Sequence, residues 1–201
     1  MAKSKIDYRH IFIEALLIVF TVLLALGLSE WRSSIKEDQT REAVLNNILK
    51  ELQANKNDLD RKMDYHLAMS QKLGRYLSND SLWNSLTYNS GMEAMIQILE
   101  RGIWNPILQN SAWRSAELSG VVNTFDYETT YILSGVYRVQ EEGPDSSWKK
   151  IAGLFADPTS YDAGSARRLA LMLNLGFAEL HSQEKSLTKS YDKAINHLSK
   201  E

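Results

Sequence analysis

Glu179, His181 and Glu184 are the nearest approach in this sequence to a set of metal ligands. Only His181 and Glu184 have the i, i+3 spacing that places two side chains on one helix face, and a metal centre takes three or four ligands. Glu93, Glu100 and Glu117 are scattered carboxylates without the Glu-x-x-His pairing of helical-bundle metal sites. No serine stands in a Gly-x-Ser-x-Gly elbow and no glycine-rich phosphate loop occurs. With no cysteine, thiolate nucleophiles, thiolate zinc sites and disulfides are excluded. These residues predict a protein that is not an enzyme and has neither cofactor nor metal.

One stretch is dense enough to form a binding surface. Trp113, Arg114, Glu117, Asp126 and Tyr127 fall within fifteen residues; Arg114 there would meet an anionic group and Trp113 would stack on it. The same residues also suit a core ring, a helix cap and a solvated face. Trp113, Ala116 and Gly120 lie at i, i+3 and i+7, a face of one large ring and two small residues suited to close helix packing. Asn110 or Ser111 is placed to cap that helix, and Thr124 or Asp126 the next.

A second group lies near the N-terminus. From Ile11 to Leu28 the only charged residue is Glu14, and eighteen helical residues reach about 27 Å, close to the thickness of a hydrocarbon core. The reading is one membrane span, with Glu14 near the interface. Thr21, Ala25 and Ser29 recur at every fourth residue, a stripe that lets a second helix approach, and Trp31 suits an interfacial anchor. Ala25-Leu26-Gly27 also has the form a signal peptidase accepts, so a cleaved leader is the competing reading. Lys3, Lys5 and Arg9 precede the span and Arg32, Lys36 and Arg41 follow it; the short basic head favours a cytoplasmic N-terminus.

Long helices must carry the rest. Residues 31–78 contain no proline and one glycine, and Leu45, Leu52, Leu59 and Leu73 repeat by sevens with His66 in the same row. Leu49, Met63 and Leu77 form the predicted second row, interrupted by Lys56 and Ser70. His66 is read as a seam residue rather than a ligand. Near the C-terminus Leu173, Leu180, Leu187 and Ala194 form one such row and Phe177, Glu184, Tyr191 and Leu198 the other. Two helices of this kind bury their seams by running antiparallel. Between them, caps and breaks predict helices at 81–88, 92–101, 111–119, 126–142 and 146–156.

Ala112-Trp113, Ala116, Gly120, Asp126-Tyr127, Leu133, Tyr137 and Gln140, together with an apolar run ending in Glu30-Trp31, resemble a pattern found in a group of uncharacterised bacterial single-span proteins of the inner membrane. The resemblance implies a location and a helical architecture, and no activity.

The expected protein is therefore all-α: residues 1–10 a cytoplasmic head, 11–29 a transmembrane helix held by membrane lipid, and 30–201 a periplasmic domain. In that domain an antiparallel two-helix stalk (31–78 and 160–199) carries a small helical head (79–159). A net charge of -2 without a basic block excludes nucleic acid as a natural partner. The expected work is assembly or scaffolding with an envelope protein or a second copy, through Glu14, Thr21, Ala25 and Ser29 or through the Trp113–Tyr127 group. The alternative is sensing of a small ligand.

Overall fold

A computed structural model describes residues 8–200; most of the expected cytoplasmic head, including Lys3 and Lys5, lies outside the described residues. The fold is all-α, with one four-residue strand. Helix α1 spans Tyr8–Ser78, followed by α2 (Asp80–Asn84), α3 (Gly91–Ile98), strand β1 (Glu100–Ile103), α4 (Ser111–Ser119), α5 (Tyr127–Gln140), α6 (Ser146–Ala156) and α7 (Ala166–Leu198). The chain divides into two compact units, up to Val44 and from Leu45 onward, so α1 contributes to both.

In the first unit α1 is, near its N-terminal end, long and apolar enough to cross a membrane. Its large apolar side chains from Phe12 to Leu28 are exposed, as is Trp31. Such a face on every side of a helix has no stable place in water. Thr21 turns its hydroxyl back onto Leu17 O at 2.8 Å, which satisfies the group within the helix.

In the second unit α7 runs antiparallel to the second half of α1. Lys56 lies 3.6 Å from Asp192, His181 Nδ1 3.2 Å from Met63 O, and Ser70 donates to Asn174 O at 3.1 Å. Both predicted α7 rows are buried throughout, from Leu173 to Leu198. On α1 the row Leu52, Leu59, His66, Leu73 is buried as well, while Leu45 at its start is only half-buried. Its companion row differs from expectation: Ile48, Asn55, Lys62 and Met69 are the buried residues, and Leu49, Met63 and Leu77 are only half-buried. Asn55 and Lys62 hide this row from a hydropathy pattern. They are buried because they find hydrogen-bond partners in the protein, the condition on which a polar group leaves water.

The elements between α1 and α7 are spread along the pair instead of gathering at one end. Arg167 of α7 pairs with Asp80, Ser147 donates to Gln183 at 2.5 Å, and Tyr191 near the far end donates to Gln140 at 2.8 Å. Local signals set their limits. Asn79, Ser90 and Asp126 each accept a backbone N–H as helix caps. Gly91 packs so closely that an added Cβ would stand 2.6 Å from Ser160 O. The expected stop at Gly143-Pro144 does not occur: a wide turn over Glu141–Asp145 absorbs Pro144 and joins α5 to α6.

Candidate interaction surface

The interior of the second unit is organised by polar side chains of α1 that read the main chain of a strap, residues 100–110, and the first turn of α4, the strap running antiparallel to the helix. Tyr65 OH donates to Gly102 O at 2.5 Å and accepts from Arg101 N at 3.2 Å. Lys62 Nζ donates to Asn105 O at 2.8 Å, and Asp58 Oδ2 accepts from Ile107 N at 2.8 Å. Asn55 matches both groups of Gln109, accepting from its N–H at 2.7 Å and donating to its carbonyl at 2.6 Å. Glu51 accepts from Ser111 Oγ at 2.9 Å and Ala112 N at 2.8 Å. The helix spacing of 51, 55, 58, 62 and 65 alternates four and three, so the side chains share one stripe. Backbone groups of the strap thus find hydrogen-bond partners among the side chains of a helix. The strap turns at Gly102 and Trp104, both at positive φ (61° and 36°). For Trp104, which has a Cβ, that conformation is strained.

Glu51 has a further role. Asn110, the cap residue of α4, makes no side-chain cap hydrogen bond, and the Glu51 carboxylate from α1 takes its place at the positive end of the helix. Its second oxygen accepts from Tyr137 OH at 2.7 Å. Burial first, then the hydrogen bond to Glu51 and its charge, pushes the Tyr137 phenol far above its ordinary range, and burial does the same to Tyr191. Both tyrosines are therefore fixed as donors. Further along the seam His66 and Glu184 are both fully buried, with His66 Nδ1 2.8 and 2.9 Å from the two carboxylate oxygens and Nε2 3.3 Å from Trp104 O. Phe177 stacks on the imidazole with centroids 5.8 Å apart. At Asp58 burial opposes ionisation, but the Lys62 ammonium, Ile107 N–H and Arg61 outweigh it and hold the carboxyl below its usual range.

Among the described residues each buried charged side chain, Glu51, Lys62, His66 and Glu184, has a partner within the protein. Trp113 is 7% exposed and stacks on Tyr137 at 5.4 Å; it is largely a core ring, and it lines one depression together with Arg114 and Glu117. Arg114 and Glu117 are exposed, 3.8 Å apart on one helix face. With Asn110, Arg138 and Glu141 they line a depression of about 210 Å³ in which two cations face two acids. Asp126 and Tyr127 do not join it. Asp126 caps α5 through Thr129 N at 2.9 Å, whose hydrogen bonds hold its carboxyl below the ordinary range. Tyr127, 85% exposed, stacks on Tyr131, 64% exposed, with centroids 6.2 Å apart. Beyond Tyr131 a groove between α5 and α7 has an apolar floor.

No family model, curated protein or solved structure matches this chain.

Among the described residues no cluster of three His, Asp or Glu side chains is placed to hold a metal ion. Glu14, like Ala25 and Ser29, is exposed on α1. Sequence reasoning missed Glu51, Asn55, Asp58, Lys62 and Tyr65. Their four-three spacing was present as a signal, but polar residues at that spacing ordinarily mark a solvated face.

Proposed function

We propose that this chain is a membrane-anchored, non-catalytic interaction module that assembles with another envelope protein. The observation that carries the reading is the Tyr127–Tyr131 stack, two large exposed rings beside an apolar-floored groove. Aromatic side chains of this kind supply much of the energy at protein interfaces, because they bury large area at low entropic cost. The buried charges support it, since each is satisfied internally. The anchor is the apolar segment of α1, with the N-terminus in the cytoplasm and the domain in the periplasm. The resemblance to single-span inner-membrane proteins agrees with that location.

The test is in-cell photo-crosslinking from Glu14 and from Glu117, with adducts identified by mass spectrometry. A discrete heterologous adduct is expected. A self-adduct from Glu14 alone would make the segment a dimerising anchor. Saturable thermal stabilisation by a small molecule, without any adduct, would replace this reading with ligand sensing.

A further inference from the structure

We propose that the groove between α5 and α7 receives an acidic amphipathic helix of a partner protein; this rests on the interaction-module reading and names the partner's chemistry. The groove encloses about 490 Å³, with Tyr131, Gly135 and Arg138 on the α5 side and Ser190 and Lys193 on the α7 side. Its floor includes Ile132 and Val136, only 7% and 4% exposed. Where α5 passes Gly135, nothing lies within 4 Å of the place a Cβ would take. The backbone there is bare, so the ridge of a second helix can come close.

Charge gives the occupant its sign. The lining holds two cations and no acid. Among the described residues neither Arg138 nor Lys193 forms an ion pair, although Arg138 also borders the depression that holds Glu117 and Glu141. Lys193 ends an exposed series, Lys185, Lys189 and Lys193, spaced four residues apart on α7. Like charges at that spacing repel one another, and an acidic neighbour relieves the repulsion. The recessed floor favours a protein helix over an anionic bilayer surface. A bilayer would meet the lysines and leave the apolar floor unfilled, whereas a row of side chains at i, i+3 and i+7 reaches both.

The experiment uses the full chain in cells, with p-benzoylphenylalanine at Tyr131, an aromatic for an aromatic, and separately at Ser190. The contacted segment is mapped by mass spectrometry. The expected adduct lies in a helical segment of one protein, with apolar residues on one face and an excess of Asp and Glu beside them. Combining Arg138→Glu with Lys193→Glu should lower the yield about tenfold or more through like-charge repulsion. Gly135→Leu, which fills the groove without changing charge, should lower it similarly. Unchanged thermal unfolding of the purified variants separates these losses from misfolding. A self-adduct, a lipid adduct alone, a contacted segment without acidic excess, or a yield indifferent to the charge reversals would each overturn the proposal. If Glu14 or Glu117 crosslinks a partner while Tyr131 and Ser190 do not, the groove is wrong and the interaction module stands. If none of the four positions gives a heterologous adduct, both fall.

Discussion

The two halves of α1 invert one another. From Phe12 to Leu28 large apolar side chains stand exposed, whereas from Glu51 to Ser70 the buried residues include Glu51, Asn55, Lys62, His66 and Ser70. One helix thus carries two answers to the same rule, that a side chain must match its surroundings. The apolar half has a satisfied backbone and lacks only an apolar solvent. The polar half lies in an apolar interior and is tolerated because other segments complete its hydrogen bonds.

The buried half breaks most sharply at His66 and Glu184. Glu184→Leu leaves the imidazole buried without its carboxylate and should cost about 3 to 5 kcal/mol. Replacing both, His66→Leu with Glu184→Leu, should cost much less than the single change. Urea unfolding of the detergent-solubilised chain checks this, and a double variant no better than the single would show that the pair does not act as a unit. The exposed half is tested by Leu23→Lys, which should cost about 2.5 to 3.5 kcal/mol of insertion. The readout is the share of protein resisting alkaline extraction from membranes, and full retention would count against the span.

A smaller effect is expected where α1 reads the strap. Asn55→Ala orphans the Gln109 N–H and leaves its carbonyl only Gln140 Nε2, 3.3 Å away, and should cost about 1 to 3 kcal/mol. Hydrogen exchange at Gln109 should quicken while the middle of α7 stays protected; equal acceleration in both would mean that strap and core open together. The smallest expected effect is acid sensitivity at Asp58. Its folded pKa lies below the ordinary 3.8, so its stabilisation is present above that value and fades as pH falls through the lower folded value. Asp58→Asn should therefore lose less stability than the parent as pH falls through and below 3.8, measured by thermal unfolding at each pH.

Part of this was legible in the sequence. The rows on α7, the cap at Asp126, and the 111–119 and 146–156 helices follow from spacing and local hydrogen bonding. The seam of α1 was half legible. Its leucine row showed, but its companion row contains Asn55 and Lys62, and a polar residue announces burial only through partners distant in sequence. Gln109 is 54 positions from Asn55 and Glu184 is 118 positions from His66. Of the candidate surface, Tyr127 was found while Tyr131, Arg138 and Lys193 were not. Their significance lies in α5 and α7 being adjacent.

The sequence alone determined what depends on near neighbours: an all-helical chain, an apolar segment long enough to span a bilayer, the α7 seam, and where most helices begin. Tertiary structure alone decided which polar side chains are interior, that Glu51 of α1 caps α4, that residues 100–110 run along a helix, and that two helices leave a basic-edged groove between them. The division has one physical cause. Periodicity and capping act within a few residues, whereas burying a charge or shaping a groove depends on which distant segments the fold brings within hydrogen-bond reach.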